Sequence, residues 1–89
     1  MNTVDMYRFL VVAKMGNVTR AAQALCIGQP ALSKTLRRLE QQLDVVLFIR
    51  HKGGKGVSLT EAGQRLCRNL RKSMGKLKLC HLLDDIIVN

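Results

Sequence analysis

The chain has 89 residues, which predicts one small domain with a single core and leaves no room for a deep substrate cleft. Fifteen Lys and Arg oppose six Asp and Glu, and the resulting net charge of +9 favours a polyanionic partner such as nucleic acid or an anionic membrane surface. The three cysteines, Cys26, Cys67 and Cys80, are too few and too widely spaced for a disulfide framework. The sequence shows neither a signal peptide nor the run of about 18 apolar residues that a membrane-spanning helix needs. We therefore expect a cytoplasmic, nucleoid-associated protein.

Apolar residues at helical spacing predict a first helix over about residues 4–15. Asn2 or Thr3 can cap its start, and Gly16 can end it in a left-handed conformation. Its inward face is formed by Met6, Phe9, Leu10 and Ala13.

A short second helix is predicted over about residues 18–26, with Asn17 or Thr19 as its cap. Its inward face is formed by Ala21, Ala22 and Leu25. Because the two alanines are small, another helix can approach closely at this face. Cys26 is expected to be a small buried residue under the turn that follows.

The third helix, over about residues 29–43, has a clear amphipathic pattern. Pro30 lies in its first turn, where the missing N–H of proline costs nothing. The predicted inward stripe is Leu32, Leu36, Leu39 and Leu43. The predicted outward face carries Gln29, Ser33, Lys34, Arg37 and Arg38.

Two short apolar segments, at about 45–50 and 57–59, flank a glycine-rich basic loop and predict a β-hairpin. Thr60 can cap a last helix over about residues 61–83. One side of that helix is marked by Leu66, Leu70, Met74 and Leu77. A lone monomer would expose this stripe, so we expect it to pair with an antiparallel helix of a second subunit.

This order of elements predicts a mainly α fold, a winged helix-turn-helix of three helices plus a two-stranded β wing, followed by a long linker or dimerisation helix. The winged helix-turn-helix would occupy residues 1–59, and the linker helix with a C-terminal tail would occupy residues 60–89. A recognition helix needs polar side chains toward the DNA major groove and apolar ones behind, and the third helix has both. The wing loop at 50–56 can lie beside the flanking phosphates, where glycines allow close backbone approach.

Six segments in this order also resemble one known family. They are FLVVA at 9–13, GNVTRAA at 16–22, QPALSK at 29–34, RLE at 38–40, LFIR at 47–50 and LTEAG at 59–63. Together they resemble the DNA-binding domain of LysR-type bacterial transcription regulators over about residues 2–72. The resemblance implies sequence-specific binding of double-stranded DNA by a homodimer, on a pseudo-palindromic site whose half-sites lie about one helical turn apart.

The resemblance further implies a role for individual residues. The recognition-helix positions that meet bases and phosphates match Gln29, Pro30, Ser33 and Lys34, with Arg37 one turn further on. The second helix, called the bracing helix because it would support the recognition helix across the DNA backbone, matches at its start with Asn17, Thr19 and Arg20. The wing matches with Arg50, Lys52 and Lys55. The dimerisation helix matches the stripe from Leu66 to Leu77. Lys34 stands where Arg is common, and Lys lacks the two-pronged geometry that suits guanine.

Other chemistry is not indicated by the sequence. No Ser–His–Asp or paired-carboxylate arrangement is visible, and the adjacent Cys80 and His81 lack metal-ligand spacing. We therefore expect no enzyme activity, no metal and no cofactor. Two alternatives stay open: a mixed dimer with a full-length relative, or a basic module that uses RNA or a membrane, although a membrane is not the preferred partner.

Overall fold

The computed structural model describes residues 2–54 and 56–74. Its elements in chain order are α1 (Thr3–Met15), α2 (Val18–Leu25), α3 (Gln29–Leu43), β1 (Phe48–Arg50), a 3-10 turn (Lys52–Gly54), β2 (Val57–Leu59) and α4 (Glu61–Met74). The two strands form an antiparallel sheet in which Phe48 pairs with Leu59 and Arg50 with Val57. The predicted order of three helices, a two-stranded hairpin and a fourth helix is confirmed.

Polar residues begin three of the helices, as predicted. The caps are Asn2 for α1, Asn17 for α2 and Thr60 for α4. The side-chain oxygen of each cap accepts a hydrogen bond from the backbone N–H three residues later, at 2.8, 2.9 and 3.0 Å respectively. Helix α3 has no side-chain cap because Gly28 precedes it.

Left-handed residues end the first three helices. Gly16 ends α1 with a φ of 67°, Cys26 ends α2 with 57° and Asp44 ends α3 with 55°. The prediction that Cys26 is buried is wrong: the residue is exposed, because it lies beyond the last helical residue of α2, in the left-handed conformation that ends the helix. Its N–H instead bonds the free carbonyls of Ala22 and Gln23.

The core lies where α1, α2 and α3 meet. Its fully buried members include Phe9, Leu10, Val11, Val12, Ala21, Leu32, Leu39 and Leu47. Leu36 is only 2% exposed, so three of the four predicted leucines of α3 face inward. The prediction for Leu43 is wrong, since it is 38% exposed. The chain turns at Asp44 and brings Leu47 into the core, while Leu43 lines a groove at the surface.

The strand predicted over residues 45–50 is shorter than expected. Only Phe48–Arg50 pairs, and Val46 is 64% exposed. Glu40 of α3 fixes the segment that leads into β1: its Oε2 accepts hydrogen bonds from the N–H groups of Leu47, at 2.7 Å, and Phe48, at 3.5 Å. The end of α3 is thereby tied to the start of the hairpin.

An ion pair and a hydrogen bond join α1 to α3. Arg38 Nη2 lies 2.8 Å from Oδ1 of Asp5, whose side chain is only 4% exposed. Arg8 donates to the hydroxyl of Thr35 at 3.2 Å. Arg38 is exposed, as predicted for the outward face, and its guanidinium also reaches a buried carboxylate that needs a cation.

Helix α4 packs against the same core. Leu70 is 7% exposed, and Leu66 and Cys67 are half-buried against the core cluster. The predicted continuation of this helix to residue 83, with Leu77, lies outside the described residues. The side chain of Met74, another residue of the predicted dimerisation stripe, likewise lies outside the described part of the structure.

The hairpin is joined to the turn between α1 and α2 by main-chain atoms. Val57 N–H donates to the carbonyl oxygen of Gly16 at 2.9 Å. Gly56, with a φ of 92°, lies so close that a Cβ there would overlap the same oxygen. A side chain at Gly56 would therefore push the wing away from this turn, whereas one at Gly16 would meet only ordinary contacts and strain the backbone through its positive φ.

Gly63, in the first turn of α4, generates a prediction about stability. A Cβ at this position would overlap the carbonyl oxygen of Leu47 and lie 2.9 Å from Cδ2 of Leu59. In a free helix interior Gly→Ala would stabilise by about 1 kcal/mol. Here we expect Gly63→Ala to lower the free energy of unfolding by about 1–3 kcal/mol, measured by urea denaturation. The exposed neighbour supplies the control, Gln64→Ala, expected within about 0.5 kcal/mol of wild type. A gain in stability for Gly63→Ala would contradict the packing described.

The cap of α2 generates a second prediction. Removing it in Asn17→Ala should lower stability by about 1 kcal/mol, because the Arg20 N–H loses its acceptor. Asn17→Ser, which keeps a capping oxygen, should recover most of the loss in thermal unfolding. Thr19→Ala is the matched control, since Thr19 is exposed and does not cap. Equal destabilisation by the Thr19 and Asn17 substitutions would refute the assignment of the cap.

Candidate nucleic-acid interface

A cleft of about 170 Å³ lies between the start of α2, the first turn of α3 and the hairpin. Its lining includes four residues singled out from the sequence, namely Asn17, Thr19, Gln29 and Arg50. They come from three separate elements, so the fold brings together positions that are up to 33 residues apart (17 to 50). None of the described residues that line the cleft is Asp or Glu.

The outward face of α3 is largely as predicted. Four of its residues are exposed, namely Gln29, Pro30, Lys34 and Arg37, while three of the four leucines on the other side of the helix are buried. The polar side chains therefore project away from the core, along one side of a helix that starts at the cleft.

Ser33 differs from its neighbours on this face. The prediction that it faces outward is wrong, because only 8% of the residue is exposed. Its hydroxyl oxygen accepts a hydrogen bond of 3.0 Å from Nε2 of Gln29, one turn earlier. The Gln29 side chain is thereby held in contact with the Ser33 hydroxyl.

The bracing helix and the wing supply the flanks of the interface. Asn17 is half-buried as the cap of α2, whereas Thr19 and Arg20 are exposed at the start of that helix. Arg50 and Lys52 are exposed in the hairpin, and Lys55 lies outside the described residues. The five exposed cations of this surface are Arg20, Lys34, Arg37, Arg50 and Lys52.

His51 links the two strands of the wing. Its Nε2 lies 2.6 Å from Oγ of Ser58, which is paired across the hairpin with Ile49. The hydrogen bond gives the imidazole ring a structural use in the hairpin.

Residues that hold α3 in place were missed by the sequence analysis. They are Asp5 of α1, and Thr35 and Glu40 of α3 itself. Each of these side chains forms a hydrogen bond. A signal existed for Asp5: it lies four residues before Phe9, so it shares the inward side of α1. A carboxylate on that side predicts a cationic partner.

The described part of the chain offers neither a candidate metal site nor a helix suited to crossing a membrane. Residues 2–54 and 56–74 contain no cluster of three or more potential metal ligands. None of the helices formed by these residues has the length and apolar character that crossing a bilayer would require.

A family model places these features in context. The model of the bacterial regulatory helix-turn-helix proteins of the lysR family matches residues 4–64, more than half of the chain. The match includes α1, α2, α3, both strands and the start of α4.

Similar curated proteins are transcriptional regulators rather than enzymes. A probable RuBisCO transcriptional regulator of Porphyra purpurea is 41% identical over 86 residues, covering 94% of this chain and 26% of the relative. A protein of the same name from Synechocystis sp. is 46% identical over 86 residues, covering 94% and 24%. The chain thus spans about a quarter of the length of these relatives.

Solved structures with a similar fold include complexes with DNA. The CbnR DNA-binding domain in its DNA complex is 27% identical with a TM-score of 0.79, and the match covers 100% of both chains. Full-length CbnR with its target DNA is 32% identical with a TM-score of 0.77, covering 84% of this chain and 25% of CbnR. The BenM DNA-binding domain with catB site 1 DNA is 27% identical with a TM-score of 0.79, covering 100% of this chain and 97% of that one. The chain therefore belongs to the lysR family of bacterial regulatory helix-turn-helix proteins, and its fold is the winged helix-turn-helix of their DNA-binding domains.

Proposed function

We propose that this chain binds specific sequences of double-stranded DNA, with α3 as the recognition helix in the major groove. One observation carries the proposal: α3 buries three of its four leucines and exposes Gln29, Lys34 and Arg37 beside a cleft lined without carboxylates. A helix of this kind fits the width of the major groove, and its side chains meet base edges there. The fold it shares with domains solved on DNA supports the same function.

The flanking elements would fix the register of α3 on the duplex. Thr19 and Arg20 lie at the N-terminus of α2, where backbone N–H groups and the helix dipole favour a phosphate. Arg50, Lys52 and Lys55 of the wing would contact the backbone beside the major groove. Such contacts position a protein without reading its sequence, so discrimination would fall to Gln29 and Lys34.

We further propose that the chain acts as a homodimer through its C-terminal helix, on a pseudo-palindromic site with half-sites about one helical turn apart. Leu66 is half-buried against the core of its own domain and Leu70 almost fully buried, so of these two Leu66 keeps the larger surface for a second subunit. Met74 and Leu77 would extend that surface. The protein would act in the cytoplasm, where the nucleoid is found.

Two alternative partners are separated from this proposal by direct binding assays. A sharp footprint on duplex DNA, without comparable binding to an RNA hairpin or to anionic lipid vesicles, would support DNA as the partner. Mixing the chain with a full-length relative and measuring mixed dimers would test whether it also forms heterodimers with that relative.

Base reading by Gln29 is tested first. Sites selected from random duplex DNA would define the preferred sequence, and Gln29→Ala should then lose about 1–3 kcal/mol of discrimination at one base pair of each half-site. Arg68→Ala is the control, because Arg68 is an exposed cation of α4 and belongs to no reading position. Equal losses of Gln29→Ala on the selected site and on random DNA would refute the base-reading role.

Phosphate contact by the wing is tested by salt dependence. Lys52→Ala should weaken binding to all duplexes alike and reduce the slope of log K against log salt by about 0.9, the value for one phosphate contact. The control is Lys72→Ala, which removes the same charge from the exposed side of α4. If the two variants change the slope equally, only the overall charge matters and the wing has no specific contact.

A further inference from the structure

We propose that Ser33 is a positioning residue that acts through Gln29: its buried hydroxyl holds the Gln29 carboxamide with one edge free to read an adenine. The inference rests on the proposed function, because it concerns how α3 discriminates between base pairs. It changes the role of Ser33, which the family resemblance implied to be a direct contact.

Burial argues against direct contact by Ser33. Only 8% of this residue is exposed, whereas Gln29, one turn nearer the N-terminus, is exposed and lines the cleft. The Ser33 hydroxyl oxygen accepts the Gln29 Nε2–H at 3.0 Å. The Ser33 hydroxyl is therefore already engaged by Gln29 in the unbound protein.

The hydrogen bond leaves a defined chemical edge on Gln29. A carboxamide has one acceptor oxygen and two N–H donors, and Ser33 uses one donor. In this proposal Ser33 accepts from the N–H that points away from the oxygen, which leaves the oxygen and the second N–H side by side. This acceptor–donor pair complements the N6 donor and N7 acceptor that adenine presents in the major groove.

Fixing the side chain before DNA arrives strengthens discrimination. A free glutamine has three rotatable side-chain bonds, and ordering them on binding costs about 0.5–1.5 kcal/mol. The bond to Ser33 restricts those rotations in the unbound protein. Without it, the amide can turn and present two donors or the oxygen alone, which weakens the preference for adenine over other bases.

The other buried hydroxyl of α3 shows what a purely structural role looks like. Thr35 is 2% exposed, donates to the carbonyl oxygen of Ala31 and accepts from Arg8 of α1. Its bonds hold helices together and involve no residue of the cleft. Thr35 is therefore the matched control for Ser33.

The test is a cycle of Ser33→Ala, Gln29→Ala and the double variant in the full chain. Site selection with wild type first identifies the base pair whose preference depends on Gln29. Each variant then binds four duplexes that differ only at that pair. We expect Ser33→Ala to reduce the preference for adenine about two- to tenfold, the equivalent of one hydrogen bond. In the Gln29→Ala background the same substitution should change the preference no further.

Three further measurements separate positioning from stability. Ser33→Thr, which keeps a hydroxyl, should restore the preference. Thr35→Val should lower thermal stability while leaving the preference at wild-type level. In the free protein, Ser33→Ala should shift the side-chain amide resonances of Gln29 toward those of an unrestrained glutamine.

The outcomes distinguish this inference from the function on which it rests. If wild type prefers no sequence, the proposed function fails and this inference fails with it. If Gln29→Ala abolishes a preference that Ser33→Ala leaves intact, only this inference is overturned. A further loss from Ser33→Ala in the Gln29→Ala background would mean that Ser33 reads DNA itself, and would also overturn it.

Discussion

Burial of Leu32, Leu36 and Leu39 is the constraint on which the functional surface depends. These residues are at most 2% exposed, so they fix the rotation of α3 about its own axis. Successive helical residues are about 100° apart, and a fixed stripe therefore fixes the direction of every other side chain. Lys34 lies opposite the stripe and is exposed. Ser33 lies about a right angle from it, at the border between core and solvent.

Polar contacts add to this constraint because they define the position of α3 along its axis. The ion pair from Arg38 to buried Asp5 engages α1 near its start, and Glu40 engages the backbone that leads into β1. A hydrophobic stripe tolerates small sliding motions, whereas a buried carboxylate without its cation is costly. The recognition helix, α1 and the wing are therefore linked through specific atoms as well as through apolar surface.

The fold could be predicted from the sequence wherever one local rule decides the structure. The candidate site could be predicted less completely. Capping by Asn17 and the inward stripe of α3 depend on spacing alone, which a sequence displays. Leu43 and Ser33 were misplaced because their burial depends on more than spacing along the helix: the chain turns after residue 43, and the hydroxyl of residue 33 bonds the side chain of Gln29. A helical pattern that sorts residues only into an inward and an outward face cannot predict the burial of a residue at the border between the two faces. The partner of Arg38 was missed for a related reason, since Asp5 lies 33 residues away in the sequence.

The main-chain junction between Gly16 and the hairpin has a consequence for how this surface can vary. The wing is seated by the hydrogen bond from Val57 N–H to the Gly16 carbonyl, by the close approach of Gly56 and by packing of hairpin side chains against the core, and the exposed Lys52 at its tip takes part in none of these. Side chains at the tip, such as Lys52, can be exchanged without altering where the loop lies. The geometry of the docking surface and its chemical character are thus specified by different residues, so a new preference for DNA can arise without a new architecture.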